Sequence, residues 1–243
     1  MSVVRLFEKI GVDVKPRKTV GIYGPSMLGK SVLAAMLARE YCGPGGYVVV
    51  FGTEEHYADE EYRKLIASFA KPRYFINYCP DLESLFKYMN MVRVKRFEEK
   101  LALILDSLSF IAMRESAKWS ARGITEPRVL AARVVPALYT VSSYFKRLVV
   151  EKDALGVVVM HAASMAGMGK YRGFADLRPS MAMRVAHSLD HLVLLTGEKG
   201  NPDAPRKLTL VMSRLNPVME GAQVEFTFTQ LQKKQLKHMA NSK

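Results

Sequence analysis

The sequence predicts an α/β fold: a mostly parallel central sheet flanked by helices, with antiparallel strands at its C-terminal end. Three observations carry that prediction. Short β-branched runs alternate with helical stretches along the chain. The first five runs are nearly continuous in apolar residues, as expected of strands covered on both faces. The last two runs flank a turn-rich stretch, NPVMEGA, which predicts a hairpin.

In order, the runs are TVGIYG (19–24), GYVVVFG (46–52), YFINYC (74–79), LALILD (101–106), LGVVVMH (155–161), DHLVLLTG (190–197), KLTLVMSR (207–214) and QVEFTFT (223–229). Helices are predicted over 29–41, 57–70, 82–99 and 126–151. A strand–helix–strand succession makes neighbouring strands parallel. The longest helix opens at Thr125-Glu126-Pro127, a capping residue followed by proline in the first turn. Pro136 inside it predicts a kink or a division. The stretches 111–124 and 162–185 resist assignment, and loops of that length inside a compact domain are usually functional or disordered. Residues 1–230 read as one domain, and 231–243 as a basic tail that frays.

The 243 residues carry a net charge of +13, 49% apolar and 24% charged residues, the balance of an ordinary soluble globular protein. That composition excludes a collagen, a low-complexity chain and a disulfide-stapled miniprotein. Two cysteines, Cys42 and Cys79, give no disulfide framework and suggest a reducing compartment. No apolar run approaches the roughly 18 residues of a membrane span. The N-terminus lacks an export cleavage pattern, so a cytoplasmic protein is expected. Residues 1–110 are net +3 and residues 111–243 net +10. Such one-sidedness suits a polyanion, nucleic acid first and an anionic membrane surface second.

GPSMLGKS, formed by Gly24, Pro25, Ser26, Met27, Leu28, Gly29, Lys30 and Ser31, fits G-x-x-x-x-G-K-[ST] at every fixed position. It follows a strand and opens a helix, the context a phosphate-binding loop needs. Glycines let the backbone fold tightly so that amide hydrogens face phosphate oxygens, and the helix N-terminus adds partial positive charge. Lys30 is predicted to stand in solvent and reach the β and γ phosphates of ATP, with the Ser31 hydroxyl on Mg²⁺. LALILD ends in Asp106, at the ligand-binding edge of a parallel sheet, where a carboxylate can hold the magnesium. Glu54 and Glu55 stand where the next strand leaves the sheet. A carboxylate there can polarise an attacking water. Glu54 is the favoured base, and an acidic helix cap is the other reading of this pair.

Together, a phosphate loop, a next strand ending in Glu and a later strand ending in Asp-Ser resemble the RecA/RadA superfamily of ATPases. The resemblance runs from about residue 5 to 229. It is similar to compact RadA paralogues of the RadB type and to KaiC-like ATPases. AHSLDHLVLLTG and PVMEG resemble the C-terminal part of the RadA core, and GTEE (52–55) resembles the paired glutamates of KaiC-type enzymes.

The resemblance implies a RecA-like core that hydrolyses ATP with Mg²⁺, self-associates or joins a recombinase, and binds DNA, single strands favoured, through two loops. Carried over, the first loop falls at about 111–124 with Arg114, Lys118, Trp119 and Arg122. The second falls at about 163–184 with Lys170, Tyr171, Arg172, Phe174, Arg178 and Arg184. Cations among aromatics suit a single strand, by phosphate neutralisation and base stacking. Trp119 has a second reading, as a packed core residue. His161 occupies the γ-phosphate sensor position and reads as a sensor or as a satisfied histidine at a strand end. The arginine finger of KaiC-like enzymes, which reaches a neighbour's nucleotide, survives as Arg214. The pattern has no room for the N-terminal domain of full recombinases. The functions implied are an accessory recombinase paralogue in DNA repair or, alternatively, a KaiC-like or archaellum-associated ATPase assembling on protein partners.

Overall fold

The structure, a computed structural model, describes residues 2–70, 73–164, 177–179 and 188–232. Its elements run α1 (Val3–Lys9), β1 (Thr19–Gly24), α2 (Lys30–Cys42), β2 (Tyr47–Gly52), α3 (Glu60–Ala70), β3 (Arg73–Tyr78), α4 (Leu82–Val94), β4 (Leu101–Asp106), α5 (Leu108–Ser120), α6 (Pro127–Glu151), β5 (Leu155–Ser164), β6 (Leu177–Pro179), β7 (His191–Gly197), β8 (Arg206–Ser213) and β9 (Gln223–Phe226). The strand order is β3-β2-β4-β5-β1-β7-β8-β9, with β6 paired to the end of β5. Strands β3 to β7 along this path are parallel; β8 and β9 add antiparallel, as does β6.

The apolar runs are continuous because each strand packs on both faces, one residue to each side in turn. Val48 and Val50 join Leu33, Met36 and Leu37 of α2 in one core cluster. Val49 and Phe51 join Leu85 and Met89 of α4, Ile111 of α5 and Phe145 of α6 in the other. Parallel register then brings functional positions to one edge. Gly52 pairs with Asp106, Asp106 with Val159, and Gly24 with His161.

Helix ends follow local chemistry. At the start of α1, Ser2 Oγ accepts the Arg5 N–H, and the Glu40 carboxylate accepts the Val3 N–H at 2.6 Å. Asp81 and Ser84 form a reciprocal capping box on α4.

Three features differ from the sequence reading. Helix α1 was not anticipated. The first unassigned stretch is mostly helix: Ser107 caps α5, and Leu108, Ile111, Ala112 and Trp119 recur at helical spacing on its packed side. Pro136 does not divide α6, which runs unbroken from 127 to 151 with the exposed proline's carbonyl accepting the Thr140 hydroxyl at 2.9 Å. The second unassigned stretch is described only at β6 and at its β5 end.

Candidate active site

The phosphate-loop motif lies between the end of β1 and the start of α2, as its spacing predicts. Gly29 caps α2 in the left-handed region (φ 85°), where a side chain would be strained. A Cβ there would also meet the Phe228 ring at 2.7 Å. Met27 projects at the loop tip, 78% exposed. Lys30 is not in solvent as expected. It is 5% exposed and its Nζ donates to the Pro25 carbonyl at 2.7 Å. Burial lowers its pKa, Asp106 and Glu54 raise it, and Lys199 on the β7–β8 turn lowers it again. The ammonium therefore bonds the loop's own backbone.

Asp106 is fully buried at the end of β4. The Tyr57 hydroxyl donates to its Oδ2 at 2.5 Å, while Oδ1 has no hydrogen-bond partner of normal geometry among the described residues. Burial and the nearby Glu54 push its pKa up, against the Ser31 and Tyr57 hydroxyls, which push it down. Gly52 makes room for Tyr57: a Cβ on it would lie 2.2 Å from the ring. Thr53 staples the ends of β2 and β4. Its Oγ1 donates to the Ser107 carbonyl at 2.7 Å and accepts the Ser107 N–H at 2.9 Å.

Glu54 points into this edge, whereas Glu55 is exposed in a short 3-10 turn over 55–58. The Glu54 carboxylate lies between two histidines, with Oε1 3.0 Å from His161 Nε2 and Oε2 3.5 Å from His56 Nδ1. Burial raises its pKa, but hydrogen bonds from His161 and Ser107 and the charges of His161 and His56 outweigh it and hold the carboxyl below its usual range. His161 Nδ1 faces Ser26 Oγ of the loop at 3.3 Å, and its backbone N–H donates to Ser109 Oγ. A cavity of about 680 Å³, lined by Ser26, Glu54, Phe110, Met113 and His161 among others, makes Glu54 accessible from the α5 side. Sequence reasoning missed Thr53, His56 and Tyr57; the only local signal is Gly52, whose missing side chain admits Tyr57.

The other expected site residues are dispersed. The Arg114 guanidinium donates to the carbonyls of Pro80 and Cys79 and to the Tyr78 hydroxyl. Lys118 lies 3.8 Å from Glu115. Trp119 is half-buried against the core, and Arg122 and Arg133 lie over its ring at 5.0 and 5.2 Å. The packed reading of Trp119 is the one this arrangement matches. Arg178 is on β6, opposite Ala163. Lys170, Tyr171, Arg172, Phe174 and Arg184 lie outside the described residues. Arg214 leaves β8 at the opposite end of the sheet, its N–H on the Asp190 carbonyl, and does not meet the phosphate loop of its own chain.

The fold is a RecA-like core, with Lys30, Glu54, Asp106 and His161 gathered at the C-terminal edge of its parallel strands. Among solved structures the chain is similar to a crystal structure of the RadB recombinase, at 15% identity, over 93% of this chain and 94% of that one, with a TM-score of 0.59. No model of a known protein family matches the chain, and no curated protein matches it.

Proposed function

We propose that this protein is a Mg²⁺-dependent ATPase that binds DNA as an accessory paralogue of the RecA/RadA recombinases. The observation that carries the ATPase reading is the convergence of Lys30, Ser31, Asp106 and Glu54 on one sheet edge. Residues from the ends of β2 and β4 and from the start of α2 meet there, as phosphoryl transfer to water requires.

The residues fit a magnesium ion. Asp106 Oδ1 is a buried acceptor with no hydrogen-bond partner of normal geometry among the described residues, and the Ser31 hydroxyl at the start of α2 lies close enough to lower the Asp106 pKa. Ser31 and Asp106 would hold the ion, which when bound neutralises charge on the terminal phosphates. Lys30 would exchange the Pro25 carbonyl for phosphate oxygens. Glu54, kept ionised at neutral pH, accepts a proton from the attacking water, and His161 fixes its orientation. Arg214 can reach a nucleotide only on a second copy, so self-association would complete the site.

The test is the ATPase rate with and without single-stranded DNA. Lys30→Ala should lose ATP turnover while staying folded. Glu54→Gln should still bind Mg²⁺·ATP but turn over about 10²–10⁴-fold more slowly. Wild-type hydrolysis by folded Lys30→Ala protein would sink the reading.

A second reading is an assembly ATPase of the KaiC-like kind, acting on protein partners. It is favoured by the engagement of Arg114 with the 78–80 corner and of Trp119 with the core, which removes two of the expected DNA contacts. DNA stimulation of turnover would discriminate against it.

A further inference from the structure

The β7–β8 turn (198–205), the first residue of β8 and Phe228 form a collar around the outer side of the phosphate loop. Arg206 is its centre. The residue is 4% exposed, with no ion pair among the described residues. Its Nε donates to the Leu28 carbonyl at 3.2 Å, and its Nη1 donates to the carbonyls of Asn201 and Ala204, both at 2.8 Å. The guanidinium also lies over the Phe228 ring at 4.9 Å. That ring abuts Gly29, and the Phe228 N–H donates back to the Pro202 carbonyl at 3.1 Å.

A buried guanidinium whose hydrogen bonds go to backbone carbonyls, with Glu198 the charge that offsets its burial, is costly to desolvate, and a planar fork is the cation best suited to bridging several fixed acceptors. What it fixes matters here. Leu28 and Gly29 are joined by a trans peptide, in which C=O and N–H point in opposite directions. Pinning the Leu28 carbonyl outward on Arg206 therefore turns the Gly29 N–H inward, to the side where a phosphate-binding loop offers its donors. Phe228 blocks any side chain at Gly29, so that the backbone can hold its left-handed turn. Lys199, on the same turn, is near enough to depress the Lys30 pKa, which places the collar within electrostatic reach of the loop's ammonium.

We propose that Arg206 is a positioning residue of the nucleotide site: it sets the Leu28–Gly29 peptide so that the Gly29 amide is preorganised to bind a phosphate. The inference rests on the ATPase reading above. It accounts for why β8 begins with a buried arginine beside the loop, and it ties the C-terminal segment to phosphate binding.

The experiment compares wild type and Arg206→Lys, which keeps the charge and loses the fork. An amide aimed at a phosphate serves ground state and transition state alike, so its loss raises KM more than it lowers kcat. Arg206→Lys should raise KM for ATP and Kd for ADP roughly tenfold, the worth of one charge-assisted hydrogen bond, with kcat within about twofold. A merely structural loss would instead lower kcat through the folded fraction and leave KM in place. In ¹⁵N-glycine-labelled protein, Mg²⁺·ADP should move the Gly29 amide proton strongly downfield in wild type, and this shift should be missing in Arg206→Lys. An unchanged KM in folded Arg206→Lys, or a Gly29 amide that does not move when ADP binds wild type, overturns the role of Arg206. Wild-type protein that binds no nucleotide overturns the ATPase reading itself. If Arg206→Lys has no melting transition, the wild-type Gly29 signal decides alone.

Discussion

Glu54 and Asp106 share one sheet edge, yet their surroundings drive them apart. Desolvation wins at Asp106, whereas at Glu54 hydrogen bonds from His161 and Ser107, with the charges of His161 and His56, outweigh it. Paired carboxylates separated in this way take different roles, which in the proposed mechanism are a cation ligand and a base. A third titratable group acts on stability at the far end of the sheet. His191 is fully buried; its Nε2 accepts the Asp13 N–H at 3.1 Å and its Nδ1 faces Ser213 Oγ at 3.0 Å. Nδ1 therefore carries the proton and donates to Ser213. Burial lowers the His191 pKa, with Asp190 and Asp13 opposing and Lys18 and Lys146 assisting. A depressed folded pKa means that the neutral ring's contribution is complete above the unfolded value near 6.5 and is lost as pH falls through the folded value. Protonation would put two donors face to face at Asp13. Urea unfolding from pH 8 to 5 should show stability falling on the acid side. His191→Gln should be less stable at pH 8 by about 1–3 kcal/mol and should lose part of that acid dependence.

At the scale of elements, what was legible was local. The five buried strands show as apolar runs because both of their faces are covered, and the phosphate loop shows as a motif because its spacing is short. The site's remaining contacts were illegible because they are not local: Tyr57 reaches Asp106 across 49 residues, and Arg206 reaches Leu28 across 178. Helix α5 was missed for another reason. Its apolar stripe is interrupted by Arg114, Glu115 and Lys118, so its period emerges only once Trp119 is seen packed against α6's side of the core. Helix α6 shows a proline overruled by tertiary packing. Val134, Leu138, Val141, Phe145 and Leu148 are buried along one face and hold the helix through Pro136. Pro136 is exposed, and an interior proline costs a helix about 3 kcal/mol relative to alanine, offset by about 0.4–1 kcal/mol through the unfolded chain. Pro136→Ala should therefore raise the unfolding free energy by about 2–2.6 kcal/mol, read as a higher urea midpoint with an unchanged slope.

For the whole molecule the deciding quantity is charge. Residues 111–243 hold +10 of the net +13, and among the described residues no helix is long and apolar enough to cross a membrane. With Arg114 and Trp119 engaged in packing, the burden of any DNA contact shifts to Arg122 with Arg133, and to the 163–184 stretch. That stretch carries Lys170, Arg172, Arg178 and Arg184 against one acid, Asp176, with Tyr171 and Phe174 between them. It follows directly from β5, whose His161 touches both Glu54 and Ser26, so an occupant of the stretch has a short covalent path to the proposed base. ATP-loaded protein should bind single-stranded DNA with a steep salt dependence, and each phosphate contact removed should lower the log–log slope by about 0.7. Lys170→Ala with Arg172→Ala should weaken binding and flatten that slope by about 1.4, while ATP affinity without DNA stays at the wild-type value. A salt titration by fluorescence anisotropy reads both numbers. If active, ATP-loaded wild-type protein shows no DNA affinity even at low salt, the charge serves a protein partner, and the assembly-ATPase reading takes over.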